Sequence, residues 1–226
     1  MSDGTRTRDH LDHNQELYQL SYAHRARSSV GVLARGVRSN AMAPDREQRA
    51  DARVSVERVL AAAPDVLAED PYASLQRVAE ASGVHRATIY RHFTSREQLV
   101  THLYEAWLAD VSSVFTSIDA SAASALAELR RVTYAVYERN VAWKAFAWAP
   151  AYPPAFAQAR DRFRGQLAEL LALGRDQGAF RSDMSLRDLG TAWGAPIQYL
   201  ASLIVDGSRT LDEAVEFNLR LVRSPE

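Results

Sequence analysis

Ser74–Arg96 reads SLQRVAEASGVHRATIYRHFTSR, and this stretch decides the fold. Leu75, Val78 and Ala79 recur at helical spacing, and Ser74 precedes them as a side-chain acceptor for the unpaired N–H groups of a first turn. The spacing predicts a short helix from Ser74 to Ser82, stopped by Gly83 in a left-handed C-cap. A second short helix is expected from His85 to His92. Thr94-Ser95-Arg96-Glu97 then reads as a capping box opening a long helix to Ser117, with Leu99, Leu103, Trp107 and Val111 on one face. Two short helices joined near a glycine and packed on a third make a helix-turn-helix. Ala79 is small enough to let the two short helices approach, and Ile89 is placed to hold the second to the first.

The exposed face of the second short helix carries His85, Arg86, Thr88, Arg91 and His92, with Tyr90 near its end. From Val84 to Arg96 there are three Arg, two His and no acid, a local charge of about +3 on a chain whose net charge is −1. The whole molecule is therefore no general polyanion binder, whereas this segment has the electrostatic footprint of a phosphate-facing surface. Plainer readings stand beside this one. Tyr90 and Phe93 fit core positions, and Thr88, Arg86, Arg91 and His85 fit a solvated face. His92 as a metal ligand lacks a second His or acid at ligand spacing, so neither metal nor cofactor is expected.

Upstream, Val56, Val59, Leu60, Ala63, Val66 and Leu67 form one apolar helical stripe. Pro64 lies inside it and predicts a kink or a break, because it removes a backbone donor and clashes with the preceding turn. Asp70-Pro71 ends the segment. Downstream, helices are expected over Ser121 to Asn140, Val141 to Ala149, Ala155 to Gln177, Ser185 to Gly207 with a kink at Pro196, and Thr210 to Arg223. Pro150, Pro153 and Pro154 interrupt the chain, and Gly178 closes the helix before it. No segment pairs strand alternation with hairpin signals, so the expected class is all-α.

The run Gly83-Val84-His85-Arg86-Ala87-Thr88-Ile89-Tyr90-Arg91-His92-Phe93, followed by Ser95-Arg96-Glu97, resembles the signature of the TetR family of transcriptional regulators. Val59 to Ala63 and Val78-Ala79 match the first two helices of that domain, so the resemblance is strong over about Arg49 to Val111. Beyond Val111 it extends only to length and helical character. Pro64 departs from the family's usual first helix. The resemblance implies a three-helix DNA-binding domain over 49–111 and a helical ligand-sensing and dimerisation domain over 112–226. It also implies a double-stranded DNA operator as partner. By position, Thr88 would contact phosphate or a base edge and Tyr90 would bond phosphate through its hydroxyl. His92 stands at the family's usual His, and Arg96 takes the place of a common Lys that interacts with the backbone or the cap region. Arg86 sits where a base-reading residue is expected, with Arg91 a second candidate reader. Ser74 would donate to phosphate from its helix start.

The second half is rich in aromatics. Tyr134, Tyr137, Trp143, Phe146, Trp148, Tyr152 and Phe156 cluster along two helices and the Pro-rich link, and Trp107, Trp193 and Tyr199 are candidates to join them. Such walls suit an apolar or cationic small-molecule effector, and they equally suit an ordinary aromatic core. Trp193, Gly194, Ile197, Leu200, Ala201 and Ile204 offer a face with small residues for the homodimer that the family implies. A symmetric dimer presents two recognition helices to a near-palindromic operator, and an effector then shifts the population off DNA. The expected function is a ligand-responsive dimeric repressor. The alternative is a ligand-binding or structural helical protein whose DNA-binding domain is vestigial.

Composition bounds these readings. The 226 residues are 47% apolar and contain no Cys, which excludes disulfides and thiolate metal sites and fits a reducing compartment. No apolar run approaches a membrane span, and no signal peptide is evident, so a cytoplasmic location is expected. No nucleophile elbow, phosphate-cradling glycine loop, metal-ligand cluster or carboxylate pair stands at enzymatic spacing, and the acidic cluster of a recombinase is missing. Lys144 is the only lysine, and the Arg and Ala excess points to GC-rich codons.

Residues 1–44 are expected to lie outside the fold, as a polar, weakly basic, disordered tail. A sharper expectation is that this stretch is not protein-coding. Synonymous codons for Leu17–Tyr22, read on the complementary strand, spell GTAGCTCAGTTGGTAGAG, similar to the D-arm of a bacterial tRNA. Gly4–Arg8 similarly yields a T-arm, and His10–Glu16 can encode a stem and loop with a GTG anticodon. Met42, or a start near it, is then the expected N-terminus.

Overall fold

The computed structural model describes residues 46–144 and 154–225, and the side chains of 51–144 and 158–225. The described chain is all-helical, and its one departure is an isolated antiparallel bridge between Phe180 and Arg223. Packing divides it into two compact units. The first takes the chain through Ala63 together with Ser74–Arg96, and the second takes Pro64–Ala73 and everything from Glu97 onward. The expected extension over 1–44 and the start at Met42 fall outside the described residues. So do Phe146, Trp148, Tyr152 and most of the helix expected over Val141 to Ala149.

Helix α1 spans Arg46–Glu69. Its predicted stripe is buried throughout: Val56, Val59, Leu60, Ala63, Val66 and Leu67 all lie in the core. The sequence predicts a kink or a break at Pro64, and the helix runs through it without a break. The missing N–H deprives only one carbonyl of its bond, and stripe residues are buried on both sides of the proline. That burial offsets a cost of about 3 kcal/mol.

Helices α2 (Leu75–Ser82) and α3 (Arg86–His92) belong to the first unit and pack on each other. Ser74 caps α2, its Oγ accepting the Arg77 N–H at 3.3 Å. Gly83 closes it at φ +65°, where its own N–H donates to the Glu80 carbonyl and that of Val84 to the Ala79 carbonyl. Val78, Ala79 and Ile89 are buried, as an interlocked pair of short helices requires.

The second unit holds most of α4 (Arg96–Thr116), then α5 (Ala125–Trp143), α6 (Pro154–Asp176), α7 (Leu186–Gly194), α8 (Ile197–Val205) and α9 (Leu211–Val222). Helix α5 packs against α6, α8 and α9. It passes through Asn140, the expected end, because the Asn140 side chain folds back to donate to the Val136 carbonyl at 2.9 Å instead of competing for the next turn. It ends at Lys144, a non-glycine residue at φ +44°. The expected kink at Pro196 is a full break between α7 and α8. Proline cannot donate to the carbonyl one turn back, and the chain restarts with Leu200 donating to the Pro196 carbonyl at 2.9 Å. Ser185 and Thr210 cap α7 and α9, the latter in a complete capping box with Glu213.

Candidate nucleic-acid interface

Helix α3 has one buried residue, Ile89, and presents the rest of its length outward or at the boundary. Arg86, Tyr90 and Arg91 are exposed, and Thr88 and His92 are half-buried. Ile89 determines this division: with that side chain held against α2, positions 86, 90 and 91 project away from the unit's core. Arg86 and Tyr90 are one turn apart, and the guanidinium lies over the phenol ring at 5.6 Å from its centroid. The sequence names both residues but not their contact. The i, i+4 spacing is the signal that could have revealed it.

The other expected positions are placed less uniformly. Ser74 is exposed at the start of α2 and uses an oxygen lone pair for its cap, so its hydroxyl proton remains available to an outside acceptor. His85 precedes α3 without capping it through its side chain. His92 is partly turned inward: its Nε2 is buried without a hydrogen bond. Burial first, and the charge of Arg91 second, hold its pKa below the ordinary 6.5, which favours the neutral ring. Arg96 opens α4 half-buried.

The described aromatic side chains of the second unit are engaged by several different partners. Trp143 donates its indole N–H to Asp110 at 2.9 Å, and Trp193 donates to Thr133 Oγ1 at 2.9 Å. Tyr137 is fully buried and donates to Asn218, while Tyr134 sits at the boundary and donates to Asp212 at 2.7 Å. Trp107 is buried beside Tyr104, with ring centroids 5.5 Å apart. Phe115 bridges Phe163 and Trp193. A cleft of about 430 Å³ opens elsewhere, between α6 and α7, with Asp161, Arg164, Leu171, Leu186 and Arg187 in its walls and none of these aromatics. Of the dimer face read from sequence, Trp193, Ile197, Leu200 and Ala201 are buried within the chain itself. Helix α8 instead exposes Tyr199, 67% accessible.

Among the described residues, no group of three or more His, Cys, Asp or Glu could hold a metal ion, and no helix is long and apolar enough to cross a membrane. Residues 59–103 match the family described as bacterial regulatory proteins, tetR family. No curated protein matches the chain. Solved structures of similar fold include PfmR, a TetR family transcriptional regulator from Thermus thermophilus, at 22% identity and a TM-score of 0.58, covering 75% of this chain and 96% of that one. The fatty acid degradation regulator FadR from Bacillus halodurans is similar at 19% identity and a TM-score of 0.59, covering 74% and 93%. The ketosteroid transcriptional regulator KstR2 of Mycobacterium tuberculosis is similar at 20% identity and a TM-score of 0.55, covering 75% and 95%.

Proposed function

We propose, from the premise that this chain belongs to the TetR family of bacterial transcriptional regulators, that it is a dimeric repressor released from its DNA operator by a small molecule. The observation that carries the reading is α3 itself. It is a short helix pinned by Ile89 whose outward face offers Arg86, Tyr90 and Arg91, in a segment without a single acid from Val84 to Arg96. A helix with that face fits the major groove, where phosphate contacts set position and base-edge contacts set sequence. Ser74, Thr88, Tyr90 and Arg96 are assigned to positioning, with His92 at their edge as a half-buried neighbour of the backbone. Arg86 and Arg91 are assigned to reading. Residues 49–111 form the DNA-binding domain in this scheme and 112–226 the sensing and dimerising one, working in the cytoplasm with the DNA.

The outer faces of α8 and α9 supply the pairing surface, since their inner faces are used within the chain. Trp107, Tyr134, Tyr137, Trp143 and Trp193 are the described aromatics assigned to the effector, with Phe146 as a further candidate from the sequence. An apolar effector is compatible with that lining and with the fatty acid and ketosteroid associations of the FadR and KstR2 neighbours.

Selection of the native chain against a pool of random duplexes at physiological salt tests the proposal. The expected result is enrichment of an inverted repeat. Arg86→Ala should relax preference at one base pair per half-site and weaken the best site by about 1–3 kcal/mol. Absence of any enriched site, with no mobility shift at low or high salt, overturns the regulator and leaves the vestigial-domain alternative.

A further inference from the structure

We infer that Tyr90 is a positioning residue for base reading: its ring holds the Arg86 guanidinium edge-on to the groove, which makes Arg86 the guanine reader of α3. The inference rests on the proposed DNA-binding function and assigns the division of labour inside it. Arg86 and Tyr90 sit on the same side of α3, one turn apart, with the cation 5.6 Å from the ring centroid, within the roughly 6 Å reach of a cation–π contact. Tyr90 is 42% exposed, so its ring is not a core aromatic that the arginine happens to cover. Among the described residues Arg86 has no carboxylate partner, and the ring is its contact. Arg91 is also exposed, and among the described residues no ring lies beneath it.

The geometry suits readout because contact with the ring consumes none of the guanidinium's hydrogen-bond donors. Its five N–H groups lie in one plane and leave a free edge. That edge matches the O6 and N7 acceptors of guanine in bidentate fashion. A solvated arginine must give up rotamer freedom to make such a pair, whereas a stacked one has already given up part of it. Tyr90 then acts twice, through its hydroxyl on a phosphate and its ring on Arg86. Fixing the phenol on the backbone also fixes the plane of the reading guanidinium. Arg91, without a platform, is the less preorganised of the two readers.

The test measures binding of the native chain and of Tyr90→Leu, Tyr90→Phe, Arg86→Ala and the Arg86→Ala/Tyr90→Leu double variant. The probes are the selected duplex and its counterpart with guanine replaced by adenine at the Arg86-dependent position. Tyr90→Leu should cut the guanine preference about two- to five-fold. Tyr90→Phe should keep that preference while weakening both duplexes alike, and the double variant should show no preference beyond that of Arg86→Ala. The buried anchors Ile89 and Phe93 are untouched in every variant, and circular dichroism confirms the fold. Full guanine preference in Tyr90→Leu overturns the inference, as does equal loss in Tyr90→Phe, which would put the effect on the hydroxyl. A selected site with no Arg86-dependent position overturns it while sparing the regulator. No selected site at all overturns both.

Discussion

Gly83 shows how one residue sets the geometry of the helix-turn-helix. At φ +65° it turns the chain from α2 into α3, and a Cβ added there would meet nothing within 4 Å. The whole cost of Gly83→Ala is therefore backbone strain in the left-handed region, about 1–2 kcal/mol. We expect a lower midpoint in urea with an unchanged denaturant slope, and an altered slope would mean that the turn reorganises instead. His92 offers a second test at this scale. Its folded pKa lies below 6.5, so above that pH it contributes nothing to pH dependence. As pH falls below 6.5 the unfolded chain takes up a proton that the folded ring resists, and stability declines down to the folded pKa. His92→Gln should remove that share of the acid sensitivity. Urea melts at pH 7.5 and 5.5 compare the two proteins, and equal losses would clear His92.

Among elements, the second unit is tied together by buried polar groups as well as apolar packing. Tyr137 on α5 donates to Asn218 on α9, and Asn218 donates to the Trp193 carbonyl at the end of α7. Trp193 donates to Thr133 back on α5, and Thr133 donates to the Leu129 carbonyl. The break at Pro196 gives this chain of bonds its purpose: α7 ends at Gly194, and Asn218 takes up a carbonyl of its last turn. Burial pushes the Tyr137 hydroxyl pKa well up, which keeps it a donor. Asn218→Leu strands both the Tyr137 hydroxyl and the Trp193 carbonyl, and chemical denaturation should show a loss of about 2–4 kcal/mol. A loss below about 1 kcal/mol would mean that water repairs the gap. Gly174→Ala is a packing counterpart, because its Cβ would overlap the buried Phe180 ring. It should cost about 1–3 kcal/mol by the same measurement.

At the other end of α5, Arg139 and Trp143 both reach Asp110 on α4, and Lys144 pairs with Asp65 of α1 at 2.7 Å. These contacts tie the end of α5 to α4 and to the last residues of α1 within the second unit. None of these partners is adjacent in sequence, and no periodicity announces them.

For the whole molecule, a net charge of −1 with a local basic segment means that the proposed DNA affinity belongs to α3 and its neighbours, not to the chain at large. Affinity should fall steeply with salt, and Tyr90→Phe should lower it roughly uniformly across sequences by up to about tenfold. Anisotropy titrations on specific and scrambled duplexes check both, and an unchanged affinity would remove the Tyr90 hydroxyl from the phosphate. Tyr199→Glu places a charge on the exposed face of α8 assigned to pairing. Sedimentation should then show monomer and a loss of inverted-repeat binding, and an intact dimer would move the interface elsewhere.

The helix-turn-helix was legible residue by residue because its determinants are local. Ser74 caps, Gly83 turns, Ile89 anchors, and the basic face follows from 3.6-residue periodicity. The family resemblance rests on that same short segment, and the all-α class on the lack of strand alternation along the chain. Tertiary packing decided what periodicity leaves undetermined. It carried α1 through Pro64, ran α5 through Asn140 and split α7 from α8 at Pro196. It placed Trp193, Ile197, Leu200 and Ala201 in the chain's own core, where sequence reading had placed a partner. An apolar helical face must be buried, but its pattern does not say against what. That choice depends on which surfaces long-range packing brings together, and only the folded chain contains it.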